Sequence, residues 1–401
     1  MTWQKLYNER VRSLTPSIIQ EMRDLISVPG TISFAAGEPS SELYPVTELR
    51  SAFGRVLENS PELLAYASPA GDPCLREWIS SWLYRKGYSL EEKGSDRILL
   101  TNGSQAGLNI LSLMFLEKGR KIILEDPSYT EAMLTFSKEG VELLTVPMDD
   151  EGPVPDLFEK VVREEKPELY YTIPTFQNPS GISVSEKRKL QILDIADRYG
   201  VRIIEDDPYR QLWFDSAPPS TYLALSGDSE NIIYLGSFSK IIAPGIRCGY
   251  ALLPPEVMKK AMELRVLLEI GLSSVLQRSV FEFLSTSDFE AHLVHLREVY
   301  RSRRDAMVNS LNKNIVPHGM GLGVPEGGFF IWGRIPGIDT SEFARFAAKE
   351  EKIGTVPGSG FFAVPDHGSE FLRLSFAQVT PEEAEEGSER LARALIRYKG
   401  R

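Results

Sequence analysis

The sequence predicts an α/β protein: a mostly parallel sheet with helices on both faces, a smaller α/β domain after it, and an N-terminal arm before it. Three observations predict this. Through the middle of the chain, short apolar runs rich in β-branched residues alternate with longer stretches of helical spacing. The short runs are mainly apolar, as strands covered on both faces should be. Near Phe281 the alternation stops and a charged amphipathic stretch begins.

The elements follow in order. Residues 1–45 read as an arm carrying one helix, Ser17–Ile26, and a Gly/Pro-rich segment. Residues 46–290 read as the large domain, with seven strands expected at Ile98–Thr101, Lys121–Leu124, Val141–Val146, Leu169–Ile173, Val201–Ile204, Ile232–Leu235 and Gly249–Leu253. Gly103-Ser104-Gln105 opens a helix that runs to Leu116. A second helix spans Tyr129–Glu139, and Ser185 starts a third that ends at Tyr199. One long helix is expected from Phe281 to Leu311, leading into a small domain over residues 291–401. There Gly327–Trp332 and Phe371–Ser375 read as strands and Pro381–Tyr398 as a closing helix. The glycines at 319, 321 and 323 follow no strand and open no helix, so they read as a loop rather than a dinucleotide site.

Composition narrows the function classes. A chain of 401 residues suits two domains. Its net charge of -11 argues against a nucleic-acid partner, which needs a basic face. Cys74 and Cys248 are too few for a disulfide framework, and no Cys/His cluster has zinc spacing. His292 and His295 read as solvated surface. The N-terminus lacks the apolar segment of a signal peptide, and the apolar run Leu108–Leu116 is too short to span a bilayer. The cytoplasm is the expected location, with no membrane partner.

Most unusual polar residues fall just after the expected strands, the edge where parallel α/β sheets bind ligands. Gly103, Ser104 and Gln105 lie between a strand and a helix start, which suits an anion or a simple cap. Ser237, Ser239 and Arg247 add two hydroxyls and a forked guanidinium fit for phosphate oxygens. Lys240 follows an apolar strand and precedes Ile241, Ile242 and Ala243. A lysine desolvated in that way has a lowered pKa and can attack a carbonyl. Asp206 ends a strand and could be a metal ligand with Glu205 and Asp207, a helix cap, or a counter-ion to a pyridinium. Arg373 sits in an apolar strand and needs an anionic partner, either a substrate carboxylate or an internal carboxylate.

Together, Asn178-Pro179-Ser180-Gly181, Asp206 with Tyr209, and Ser237, Ser239 and Lys240 with Arg247 seven further on resemble the aminotransferases dependent on pyridoxal 5'-phosphate (PLP). The resemblance is to fold type I, the aspartate aminotransferase fold, in its aminoadipate/kynurenine subgroup, which is related to MocR effector domains. It covers the chain from Phe34 to Phe376. It implies a three-layer fold, a homodimer with shared sites, and transfer of an amino group from an L-amino acid to a 2-oxo acid such as 2-oxoglutarate by ping-pong half-reactions.

The resemblance also implies roles. Lys240 would form the internal aldimine and later shuttle a proton. Asp206 would pair with the pyridine nitrogen. Asn178 and Tyr209 would hydrogen-bond the ring's phenolic oxygen, and Tyr129 would stack on the ring. Gly103, Ser104, Gln105, Ser237, Ser239 and Arg247 would form the phosphate cradle, and Tyr66 would reach the neighbouring subunit's phosphate. Arg373 would bind the substrate α-carboxylate, helped by Asn178 and the backbone at Gly37. In that subgroup the N-terminal helix closes over the substrate side chain: Arg23 facing the site would favour dicarboxylates, and Gln20 neutral or aromatic side chains. Broad specificity is expected. Three other readings share parts of this pattern: a PLP enzyme of another reaction type (a β-lyase, or an amino-acid oxidase or hydroxylase), a ligand-sensing domain, and a non-catalytic protein.

Overall fold

The protein is described by a computed structural model over residues 2–12, 14–88, 94–227 and 230–401. Its largest sheet has the strand order Ile98–Thr101, Gly249–Leu252, Ile232–Ser237, Arg202–Asp206, Leu169–Thr172, Lys121–Asp126, Glu142–Asp149, Gly152–Pro153. The five strands from Ile232–Ser237 to Glu142–Asp149 run parallel, and Gly249–Leu252 runs against both its neighbours. All seven expected strands are present. The eighth, Gly152–Pro153, is a two-residue antiparallel return at the exposed end of Glu142–Asp149, too short to leave a periodic signal.

The edge strand Ile98–Thr101 and the central strands Leu169–Thr172 and Ile232–Ser237 are buried along their length. Helices of the large domain have legible caps. Asp72 and Ser185 accept from Leu75 N and Arg188 N, and Gly200 ends the Glu186–Tyr199 helix in the left-handed region.

Two boundaries differ from expectation. The stretch from Phe281 to Leu311 is two helices, Ser274–Thr286 and Phe289–Asn314, because Asp288 turns its carboxylate onto Ala291 N and restarts the ladder. His292 is not simply solvated: it is half-buried, and its Nε2 lies 2.8 Å from the Ile241 carbonyl.

A second sheet, in the order Gly321–Leu322, Phe330–Arg334, Phe371–Ser375, Val356–Pro357, is antiparallel. The strand expected at Gly327–Trp332 therefore starts at Phe330, and part of the glycine loop at 319–323 pairs as a short edge. The N-terminal segment is tied to this part of the chain. Ile32–Ser33 pairs parallel with Ile353–Gly354, and Ser375 N donates to Phe34 O at 2.7 Å. Cys74 and Cys248 are free thiols. Among the described residues no helix is long and apolar enough to cross a membrane.

Candidate active site

A cavity of about 290 Å³ opens at the C-terminal ends of the parallel strands. Its wall takes Ser104 and Gln105 after the first strand, Tyr129 after the Lys121–Asp126 strand, and Asn178 after the Leu169–Thr172 strand. Asp206 and Ser237 end the next two strands, and Tyr209, then Ser239 and Lys240, follow them. Arg247 joins them from the other direction. It precedes Gly249–Leu252, and that strand runs antiparallel, so its start lies where its neighbours end.

Asp206 sits at the floor. Strand register explains its partner: Tyr171 pairs with Ile204, so Tyr171 and Asp206 project from the same face of the sheet. The Tyr171 hydroxyl donates to Asp206 Oδ2 at 2.9 Å, while the buried Oδ1 has no protein partner. Phe136 packs edge-on against the Tyr171 ring, centroids 5.3 Å apart. Burial pushes the Asp206 carboxyl up to about 7, and the Tyr171 hydrogen bond pulls the other way. In Tyr171→Phe, followed by carboxyl NMR in the cofactor-free chain, the Asp206 midpoint rises by about one pH unit. A midpoint that stays in place means the bond carries no weight. Glu205, on the opposite face, accepts from Tyr222 N and Leu223 N at 2.9 and 3.0 Å. It is thus a backbone cap, not a partner of Asp206 in a cation site.

Lys240 lies above, half-buried, its Nζ donating to Gly37 O at 2.8 Å. The amine is 5.8 Å from the Tyr209 ring centroid and 6.0 Å from that of Phe329. Burial lowers its pKa from 10.5 to about 8, Glu38 opposing and Arg373 and Arg247 adding to the fall. A lysine with the ordinary value would be almost wholly protonated at neutral pH, so this shift raises the free-amine fraction by orders of magnitude. NMR titration of ¹³C-methylated lysines in the cofactor-free chain will show Lys240 turning over near pH 8, with solvated lysines near 10.5. A Lys240 midpoint among the solvated ones would contradict the burial argument.

One end of the cavity is an anion cradle. Gly103 caps the Ser104–Phe115 helix at φ 79°, and no side chain takes up its first turn. A Cβ on Gly103 would stand 2.7 Å from Arg247 Nη2, so glycine is what lets the guanidinium approach. Arg247 Nη2 in turn donates to Asn102 O at 3.0 Å. The Gln105 side chain is engaged elsewhere, donating to Thr135 Oγ1 at 2.7 Å, which leaves its backbone N–H as its contribution.

The opposite end holds Arg373, fully buried. Its Nη1 donates to Asn178 Oδ1 and its Nη2 to Ala35 O, both at 2.9 Å, and its Nε has no partner. The guanidinium lies 4.4 Å from the Phe330 ring centroid and 5.0 Å from that of Phe361. Burial lowers its pKa to about 10. The ion pairs among the described residues give Arg373 no carboxylate, which disfavours the internal salt bridge.

The N-terminal helix, Ile18–Ile26, contributes Ile19 and Arg23, one turn apart. Gln20 is exposed and outside the wall, because a step of one residue turns the side chain well round the helix. Of the two expected side-chain contacts, the structure brings Arg23 and not Gln20 to the cavity. Tyr66 also stands outside this cavity, 87% exposed. Sequence reading missed Tyr171, and it missed two wall carboxylates, Glu38 and Glu131. Glu38 follows Gly37 directly. Glu131 accepts from Ser17 Oγ at 2.8 Å and so ties the start of that helix to the large sheet's side of the site.

Fold and site together define a fold type I enzyme of the aspartate aminotransferase kind. The chain belongs to the aminotransferase class I and II family, whose model matches residues 29–391. It is 35% identical to a 2-aminoadipate transaminase of Thermus thermophilus, over 98% of both chains. It is 33% identical to an aromatic-amino-acid aminotransferase of Thermococcus litoralis, over 98% of this chain and 95% of that one. Among solved structures it resembles an α-aminoadipate aminotransferase from Thermus thermophilus, crystallised with N-(5'-phosphopyridoxyl)-L-leucine. The TM-score there is 0.91 and the identity 32%, with both chains covered completely.

Proposed function

We propose that this chain is a PLP-dependent aminotransferase that passes the amino group of an L-amino acid to a 2-oxo acid, with 2-oxoglutarate as acceptor. One observation carries the reading: a desolvated amine, Lys240, shares a cavity with a buried carboxylate, Asp206, whose Oδ1 is unpartnered. Separate donor sets suit the three polar groups of that cofactor. Asp206 Oδ1 suits a protonated ring nitrogen. The first helical turn at Ser104 and Gln105, with Ser237, Ser239 and Arg247, suits a phosphate. Lys240 suits an aldehyde.

When bound, the cofactor draws electrons from the substrate Cα. The chain's own residues do the rest. Lys240 Nζ would hold the cofactor through its aldehyde carbon and would carry a proton between the substrate Cα and that carbon. Asn178 and Tyr209 would hold the ring's phenolic oxygen and Tyr129 would cover a ring face. Arg373 takes the α-carboxylate, which donor and acceptor share, through a fork already oriented by Asn178 and Ala35. Gly37 faces the same space.

Arg23 is positioned to meet a distal carboxylate, and Ile19 beside it offers apolar surface. The named activities of the two relatives, one on a dicarboxylic donor and one on aromatic donors, support broad specificity. Exposed Leu64, Tyr66 and Leu267 support a homodimer in which Tyr66 serves the neighbouring site. Residues 1–45, 46–290 and 291–401 serve as arm, large domain and small domain, and the two free thiols fit a cytoplasmic location.

The test is a donor panel with 2-oxoglutarate, scoring glutamate formed per donor consumed. One-to-one conversion across acidic, aromatic and aliphatic donors is expected. Ammonia release that needs no oxo acid, or turnover of one small donor alone, would overturn the reading.

A further inference from the structure

We propose that Glu38 is a displaceable counter-ion for Arg23, and that their pairing lets one cavity accept two substrate classes. With the pair formed, donors with neutral side chains bind. A dicarboxylate binds by putting its distal carboxylate in the place of Glu38. The proposal rests on the reading of Arg23 as the distal-carboxylate site.

The two half-reactions share one wall. Arg373 serves both through the α-carboxylate, so the conflict lies at the far end, where an apolar side chain and a carboxylate need opposite surroundings. A bare guanidinium there would disfavour apolar side chains, and a permanently neutralised one would disfavour dicarboxylates.

Arg23 and Glu38 both line the cavity, and Arg23 Nη2 lies 3.1 Å from Glu38 Oε1. The contact is a single bond, not a fork, and the side chains are 69% and 52% exposed. A pair so open to water is weak, and breaking it costs a ligand less than about fivefold in affinity. Glu38 released from Arg23 already has access to solvent, so no buried charge is stranded. Of the wall's other carboxylates, Glu131 is held by Ser17 and Asp206 by Tyr171 at the floor, so neither is free to take over. Glu38 also acts on Lys240. That effect is common to every donor and cancels when two donors are compared.

The experiment compares Glu38→Gln and Arg23→Gln with the parent holoenzyme. It reads KM for 2-aminoadipate and for leucine, and the calorimetric dissociation constant of glutarate, a dicarboxylate that cannot react. In Glu38→Gln, KM for 2-aminoadipate and the glutarate constant fall about two- to fivefold while KM for leucine rises by a similar factor. In Arg23→Gln, 2-aminoadipate loses at least about tenfold more in kcat/KM than leucine. If Arg23→Gln behaves so but Glu38→Gln moves both donors in one direction, or neither, the counter-ion role is overturned and the Arg23 reading stands. If Arg23→Gln affects both donors equally, the Arg23 reading falls and the proposal with it.

Discussion

Lys240→Ala lowers kcat at least about 10⁴-fold, measured as glutamate formed from 2-oxoglutarate with any competent donor. The size of the effect follows from the two tasks one atom performs. In the proposed reaction Nζ would both anchor the cofactor and serve as the base at the substrate Cα. The local sequence serves both. The Ile232–Ser237 strand is buried throughout, the turn at Ser237–Ser239 closes on itself through Ser239 N to Ser237 Oγ at 3.1 Å, and Phe238 and Ile241 pack into the core. Lys240 is therefore delivered to the cavity by a rigid element while its stem is stripped of water. An added primary amine such as methylamine restores part of the proton-transfer rate, because the cavity then has room where the side chain stood. Loss of activity with loss of the fold is checked by circular dichroism; a folded, inactive Lys240→Ala chain is the expected result.

The second large effect is at Arg373. Arg373→Ala lowers kcat/KM about 10²- to 10³-fold for every donor and for the oxo-acid acceptor alike, since the α-carboxylate is common to them. Arg373→Lys keeps the charge but loses the fork, and retains less than about a tenth of the parent value. The contrast with Arg23 is diagnostic. Arg373 is buried, flanked by Phe330 and Phe361, and pre-oriented by two hydrogen bonds at 2.9 Å. Arg23 is exposed and held by one. Arg373 substitutions therefore act on all substrates, and Arg23 substitutions separate acidic from neutral ones. Equal losses at the two positions across the panel would show that the cavity does not read its substrate from two ends.

Much of this was legible in the sequence because βαβ architecture forces it. Once Ile203, Ile232 and Ile123 are read as buried strand residues, Asp206, Lys240 and Tyr129 must emerge along one edge. Arg373 was legible for a different reason: a charge amid Phe371, Leu372, Leu374 and Phe376 demands an anion. What escaped depends on contacts between distant segments. Tyr171 looks like any aromatic strand residue; only the pairing of Tyr171 with Ile204 turns it toward Asp206. Glu38 and Arg23 lie fifteen residues apart on a loop and a helix, and no periodicity joins them. Gln20 and Arg23 could not be separated until the helix phase was known. The break at Ser287-Asp288 was hidden because Asp is tolerated in a helical pattern and acts as a cap only when the chain bends there. Gln105 was legible as a cradle residue, but not that Thr135, from the next helix, would claim its side-chain amide.

The most direct test of the central claim is reduction of the cofactor-loaded protein with borohydride, followed by proteolysis and mass mapping. One phosphopyridoxyl adduct is expected, on Lys240, with the visible band of the protein lost on reduction and absent from Lys240→Ala. An adduct on another lysine, or none in protein that visibly holds the cofactor, would contradict it.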